Sequence, residues 1–580
     1  MIAFSHPHGD REAETMTGSP SVPVSECQTY VDLLSLRAAM QPDRLAYRFL
    51  DERGRETATL TYGDLDRRAM AIAAHLQARS LHHERVLLLF PSGLDFVSAF
   101  FGCLYAGAIA VPAYPPKPGP IQERLDAISH DCGARALLTT QSQLPSLATV
   151  PALQHLLPLA VEALIEEPSG GWRSPGVHRE SIAFLQYTSG STAAPKGVVV
   201  SHHNLLENQK LIQASFEHDE ESVGVGWLPL FHDLGLIGNM LQPVFAGFPV
   251  TLMSPMTFLK YPHRWLEAIA RYGATTSGGP NFAFDYCVRK VTPEQRQALD
   301  LSTWSVAFTG AEPIQADTLH RFADAFGPCG FRREAFHPCY GLAEATLLVS
   351  TKARLEPVSV RDFEDGGRRR PVVANGCTWF DQEVRIVDPE TGRELPEGAP
   401  GEIWVRGPNV CQGYWNRPEG SRETFEAFTD TGDGPFLRTG DVGTWLDGSL
   451  YIRGRLKDLI IVRGRNHFPQ DLERTVEATD ALVRTGGCAA FGLEVAGQER
   501  VVVVAELDRR SPPEAAEAAR LVEAVRAAVL EAHDLALHDL VFIAPGAMPK
   551  TSSRKIQRRQ CRDDYLEGRL KPLSQVVEAS

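Results

Sequence analysis

Apolar and polar positions follow two rhythms along the chain, and the rhythm switches repeatedly. Thr61-Tyr62-Gly63-Asp64 has the form of a capping box with an acid at the third helical position, and Leu65, Ala69, Ile72, Ala73 and Leu76 then recur at helical spacing. Residues 84–90 form a short apolar run of the kind shown by a strand buried on both faces. A helix is predicted over about 94–105, stopped at Ala106-Gly107, with the next strand at 108–111. Helix and strand signals go on alternating, which argues for α/β layers. Phe245-Ala246-Gly247-Phe248 echoes Tyr105-Ala106-Gly107-Ala108, each leading into an apolar strand and prolines, as a duplicated α/β subdomain would. Residues 352–376 are polar, arginine-rich and without apolar periodicity, and read as an insertion or long surface loop. From 382 to about 451 the signals become short strands with Gly, Pro and Asp turns. A further α/β segment follows, with a strand at 501–505 and a helix from 512 to about 533.

Composition narrows the possibilities. The 580 residues suffice for two to four domains. Lys and Arg number 58 against 72 Asp and Glu, a net charge of −14, which argues against a general nucleic-acid binder. Ten scattered cysteines without a CxxC pair suggest buried or inert thiols in a reducing compartment, and the expected location is cytoplasmic. Residues 1–28 lack a continuous apolar segment and read as a disordered leader rather than a secretory signal. Two long uncharged runs, 96–116 and 234–259, are broken by prolines. Each reads as a buried helix, a glycine stop and a buried strand rather than a transmembrane span.

The densest chemistry lies in Thr188-Ser189-Gly190-Ser191-Thr192-Ala193-Ala194-Pro195-Lys196-Gly197, between apolar runs at 181–185 and 198–200. Small residues let backbone N–H groups approach an anion, hydroxyls add donors and the lysine adds a charge, so a strand–loop–strand here suits phosphates. It is not the nucleotide P-loop, because Lys196 precedes Gly197 and a β-type run follows. His232-Asp233 stands at the mouth of an apolar segment, where a titratable group suits an amphiphilic carboxylic acid. Thr309-Gly310-Ala311-Glu312-Pro313 reads as a turn. Tyr340-Gly341-Leu342-Ala343-Glu344-Ala345-Thr346 carries a carboxylate suited to a hard cation. An acid after a tight turn, as in Arg438-Thr439-Gly440-Asp441, can accept two vicinal hydroxyls. Gly454-Arg455-Leu456-Lys457-Asp458 and Pro549-Lys550-Thr551-Ser552-Ser553-Arg554-Lys555 complete the set.

In order and spacing, these stretches resemble the motifs of adenylate-forming enzymes, the superfamily of acyl-CoA synthetases, luciferases and nonribosomal-peptide adenylation domains. The resemblance covers about residues 30–560. It implies a large N-terminal domain of two related α/β subdomains plus a small β-rich one, over 29–456, and a small mobile α+β C-terminal domain over 457–580. It also implies ATP and Mg²⁺ as cofactors. Thr188, Ser189, Gly190, Ser191, Thr192 and Lys196 would hold phosphates; Gly310, Ala311 and Glu312 would pack on adenine; Tyr340, with Gly341, Leu342 and Ala343, would stack on it. Thr346 would lie near the α-phosphate, Glu344 would help hold Mg²⁺, Asp441 would bind ribose and Arg455 would belong to the nucleotide site. Lys457 would be the hinge, Lys555 the catalytic lysine, and His232 would contact the acyl carboxylate or gate its pocket, expected from residues 230–285. Arg554 stands where the family usually has glycine.

Gln186-Tyr187, 275–282, 339–350 and 382–387 resemble a narrower group, the fatty acyl-AMP ligases. That resemblance implies activation of a fatty acid as its adenylate and transfer to the phosphopantetheine thiol of an acyl carrier protein in trans, of polyketide synthase or nonribosomal peptide synthetase type. The group typically carries an insertion where 352–376 stand, but this one is shorter. Two other readings fit the motifs: an acyl-CoA synthetase using free CoA, and a non-catalytic scaffold that kept the fold.

Overall fold

The computed structural model describes residues 26–115, 120–166, 171–188, 195–365, 368–462, 465–495, 498–551 and 555–573. Two mostly parallel sheets dominate. The six-stranded sheet runs Leu157–Ala160, Ala136–Thr139, Arg85–Leu89, Ile109–Ala113, Ile182–Thr188, Lys196–Ser201, the last pair antiparallel. The eight-stranded sheet runs Leu348–Thr351, Phe336–Gly341, Val306–Thr309, Thr276–Gly279, Gly224–Gly226, Val250–Met253, Leu45–Leu50, Glu56–Thr61, antiparallel only at its two edges. These are the two α/β subdomains. The predicted capping box is present: Thr61 caps the helix Tyr62–Ala78 and Asp64 returns the bond, with Leu65, Ala69, Ile72, Ala73 and Leu76 buried on one face.

The echoed segments occupy matching roles. The helix Leu94–Ala106 ends at Gly107 (φ 68°) before the strand Ile109–Ala113, and the helix Gln242–Ala246 ends at Gly247 (φ 88°) before Val250–Met253. Both stops use the left-handed region that glycine enters without a Cβ penalty. Among the described residues, no helix is long and apolar enough to cross a membrane.

A four-stranded antiparallel sheet follows, Glu383–Val387, Gly401–Arg406, Leu437–Leu446 and Ser449–Arg455. The remaining residues form a three-stranded sheet, Val483–Val495, Gln498–Leu507 and Leu537–Ile543, with the helices Pro469–Thr479, Ala515–His533 and Arg558–Leu566. One buried apolar cluster extends from Cys27 to Leu450, and separate clusters form beyond Ile460. A short 3₁₀ turn, Leu456–Asp458, joins the two regions. All ten cysteines are free.

Two expectations need correction. The segment 352–376 is not a structureless loop: Val360–Asp365 pairs antiparallel with Arg368–Val373. Its apolar residues divide between two clusters, Val373 joining the main core. Phe363, Val372 and Ala374 bury against Tyr451, with the Phe363 and Tyr451 rings 5.1 Å apart. The arginines between them hide that periodicity in the sequence. The leader expected over 1–28 lies outside the described residues up to position 25, and Cys27 is already buried in the main core.

Candidate functional site

A cavity of about 2840 Å³ opens where the carboxyl ends of the parallel strands meet the C-terminal region, the place where open α/β sheets present ligand sites. The strands Ile182–Thr188 and Lys196–Ser201 bring the ends of the phosphate-suited loop to its rim. Ser189, Gly190, Ser191 and Thr192 lie outside the described residues, as does Arg554. Arginines hold both ends of that loop: Arg124 donates to the Thr188 carbonyl, and Arg417 to Pro195 O at 3.3 Å and to Asp131 at 2.8 Å. Nζ of Lys196 stands 4.6 Å over the Tyr414 ring, and the Tyr414 hydroxyl donates to Glu344 at 2.8 Å.

Burial raises the Glu344 carboxyl above its usual range, and Asp233 adds repulsion while the Tyr414 bond opposes the shift. A pair of carboxylates in a site with bare oxygens suits a hard divalent cation that takes its remaining oxygens from phosphate. Among the described residues, no cluster of three or more metal-ligating side chains exists.

Across the cavity, the Tyr340 hydroxyl donates to Asp441 at 2.9 Å, and Arg455 Nε donates to the other Asp441 oxygen at 3.1 Å. The strand Phe336–Gly341 can turn here because Gly341 has no side chain: a Cβ would meet Leu347 O at 1.8 Å. Gly310, Ala311 and Glu312 follow the interior strand Val306–Thr309 and line the cavity, as do Gly341, Leu342 and Ala343. Glu312 accepts the Phe282 N–H at 2.6 Å, and burial raises its carboxyl. Cys339 also lines the cavity; its thiol donates to the His337 carbonyl at 3.2 Å, and burial pushes it up to about 12.

Thr346 departs from expectation. It is fully buried, adopts φ 68°, and spends its hydroxyl on Asn409 O at 2.6 Å, so it does not line the cavity.

His232 follows the turn Pro229–His232, its N–H donating to Pro229 O at 3.2 Å. Asp233 caps the π-helical segment Leu234–Leu241, and Gly235 lets that segment start close under the turn: a Cβ there would meet Pro229 O at 2.1 Å. Burial pushes the His232 imidazole down to about 3, with Lys555 and Arg124 adding to the effect, so it is neutral at physiological pH.

Lys555 reaches the same space from the far end of the chain. Its backbone is bonded to Thr551, Thr551 N donating to Lys555 O at 2.8 Å and Lys555 N to Thr551 Oγ1 at 3.0 Å. Burial lowers its ammonium pKa; Asp233, Glu312 and Asp441 oppose that shift and Arg455 reinforces it. Lysine, imidazole, three carboxylates and guanidinium therefore share one cavity.

Lys457 sits in the 3₁₀ turn between the two regions and lines the cavity. Its neighbour Asp458 is bound by Arg558 at 3.1 Å, and Arg558 also forks onto Glu473 at 2.6 and 2.7 Å. Arg124, Tyr414, Arg417 and Arg558 carried no motif signal; each is defined by a partner distant in sequence. The apolar wall also exceeds the expected 230–285, reaching Ile212, Phe216, His218 and Val225.

The family model described as AMP-binding enzyme matches residues 34–415, and a second, described as Disco-interacting protein 2-like, AMP domain, matches 457–575. The chain is 42% identical over 570 residues to the medium-chain-fatty-acid–[acyl-carrier-protein] ligase JamA of Moorena producens, covering 94% of this chain and 96% of that protein. It is 39% identical over 594 residues to the long-chain-fatty-acid–AMP ligase FadD32 of Mycolicibacterium smegmatis, covering 92% and 94%. Among solved structures it is similar to a fatty acyl-adenylate ligase from L. pneumophila in complex with acyl adenylate and pyrophosphate, with TM-score 0.74, 40% identity and coverage of 95% and 97%.

Proposed function

Because the chain belongs to the AMP-binding enzymes, as a ligase of the adenylate-forming superfamily, we propose that it activates a medium- or long-chain fatty acid with ATP, releases pyrophosphate, and passes the acyl group to the phosphopantetheine thiol of an acyl carrier protein in trans. The observation that supports this most is the convergence of Lys555, His232, Asp233 and Asp441 on one cavity that continues between apolar walls. A carboxylate is a poor electrophile and repels a triphosphate, so holding the two in line removes much of the entropic barrier. In this reading Lys555 bridges the carboxylate and the α-phosphate oxygens as charge develops. Burial lowers its pKa, and a phosphate beside it raises the pKa again, by the sign of the added charge. Neutral His232 donates to or accepts from the acyl carboxyl without forming an ion pair that would hold it back.

Asp441 takes the ribose hydroxyls, with Arg455 fixing its orientation, and Lys196 with the hydroxyl loop takes the phosphates. Glu344 would hold Mg²⁺, which would supply positive charge to the phosphates. Rotation of 457–580 about Lys457 then withdraws Lys555 and opens the thiol's path.

The test is one incubation with ATP, Mg²⁺ and a fatty acid, alone, with CoA, and with a phosphopantetheinylated carrier protein, read by mass spectrometry. Acyl-AMP that persists with CoA and converts on the carrier supports the proposal. Acyl-CoA overturns the acceptor, and no acyl-AMP with any acid overturns the reaction.

A further inference from the structure

The apolar limb of the cavity does not end as a plain hydrocarbon slot. The parallel strand Gly224–Gly226 sets its direction. Trp227 to Asp233 follow its carboxyl end and carry His232, whereas His218 precedes its amino end, so the limb descends along the sheet from His232 towards His218. At the rise of a parallel strand, Gly224 to Leu228 is about 13 Å of descent. Gly224, Phe248, Val250 and Phe216 line the lower part.

Two polar side chains interrupt this wall. Asn239, on the π-helical segment, is 5% exposed and its Nδ2 has no hydrogen-bond partner among the described residues. His218 is 7% exposed, its ring 5.2 Å from Phe216 and 4.9 Å from Phe248. Gln242 Nε2 lies 3.4 Å from His218 Nδ1; as an amide N–H it donates there and puts the ring proton on Nε2, which has no partner among the described residues. Both residues line the cavity. Behind Phe216, at 4.4 Å between rings, His337 is fully buried, with neither ring nitrogen paired among the described residues.

An unpaired buried donor costs about 1–3 kcal/mol, and folded proteins rarely leave one without a purpose. A saturated acyl chain would leave both donors unpaired and expel any water that served them. A chain with an oxygen at the right depth would satisfy them. We infer, on the premise of the adenylation reading above, that this limb selects an acid carrying an uncharged oxygen acceptor, a hydroxyl or keto group, along its chain, held by Asn239 in the upper part and His218 near the end. The acceptor is uncharged because burial, with Arg354 adding to it, pushes His218 down to about 3, so the imidazole offers no cation to a second carboxylate.

The test walks a hydroxyl or keto group along a fatty acid of fixed length and compares kcat/KM for ATP–pyrophosphate exchange with that of the saturated parent. The ratio is taken within each protein, so a general loss of activity cancels. The expected result is a preference of about tenfold or more at the positions that reach the two donors, as sites built around a hydrogen bond discriminate. His218→Leu is expected to abolish the preference at the distal position only, His218→Gln to retain part of it, and Asn239→Leu to abolish the proximal one. A saturated parent as good as every oxygenated acid, or a preference unmoved by the variants, overturns the inference and assigns the donors to buried water. Exchange with no acid at all overturns the adenylation reading and this inference together.

Discussion

The Arg370 guanidinium lies 3.1 Å from the Asp471 carboxylate, and both side chains are largely buried. Arg370 belongs to the hairpin at 360–373 and Asp471 to the first turn of the helix Pro469–Thr479, so the pair ties the hairpin to the region that carries Lys555. Arg474, one turn on, donates to Gln315 at 2.9 Å across the same cleft. Asp471 also pairs with Arg474, so removing Arg370 cuts the tie to the hairpin while leaving the acid a partner. Arg370→Ala is expected to slow pyrophosphate exchange roughly three- to tenfold, while thioester formation from supplied acyl-adenylate is kept or accelerated. Equal loss in both half-reactions would show that the pair does not hold this pose.

Charge interactions with Asp233, Glu312 and Asp441 place Lys555 among the carboxylates of the site. Lys555→Ala is expected to reduce exchange by about a hundredfold or more, in line with the loss of an oriented charge at the reacting atoms. Transfer from supplied acyl-adenylate should survive. Full exchange with lost transfer would reverse the assignment.

Glu344→Gln keeps an oxygen for the Tyr414 hydroxyl but removes the charge. The expected result is a rise of roughly tenfold or more in the Mg²⁺ concentration for half-maximal exchange, with the melting temperature unchanged. An unchanged Mg²⁺ titration would move the cation to other groups.

Gly235→Ala places a methyl 2.1 Å from Pro229 O, backbone against backbone, with no flexible side chain to yield. A loss of about 2 kcal/mol or more is expected, together with displacement of His232 and weakened acid binding. A variant of native stability and native KM would show that the turn relaxes freely.

His202 is 1% exposed and accepts the Tyr30 N–H through Nδ1 at 3.2 Å; burial pushes it down to about 4. Below the unfolded value near 6.5 the unfolded chain takes up a proton that the native chain refuses. This group's contribution to stability is therefore lost as pH falls from about 6.5 towards 4, by up to about 1.4 kcal/mol per pH unit. His202→Gln is expected to flatten the decline of the urea midpoint between pH 7 and 5 relative to the unmodified chain. Parallel declines would place the titration elsewhere.

Local signals carried much of the fold. The Thr61–Asp64 capping box and the stops at Gly107 and Gly247 rest on contacts within one turn of chain, and each stands where periodicity put it. The hairpin at 360–373 escaped because its apolar residues are separated by arginines and divide between the main core and a small cluster around Tyr451. Thr346 was drawn to the phosphate region by its neighbours in sequence, but its left-handed backbone turns the hydroxyl to Asn409. Arg124, Arg417 and Tyr414 are ordinary residues until the sheet brings the loop ends and Glu344 beside them. His218 looked like any histidine after a helix; its meaning lies in what its ring fails to meet.

Cys339 gives the proposed chemistry a safeguard. An acyl-adenylate reacts with any thiolate within reach, and this thiol lines the cavity one residue from Tyr340. Burial pushes its pKa up to about 12, which keeps the thiol protonated at neutral pH. In the proposed reaction a thiol held protonated competes poorly for the acyl-adenylate, and the activated acyl group is left for an incoming thiol.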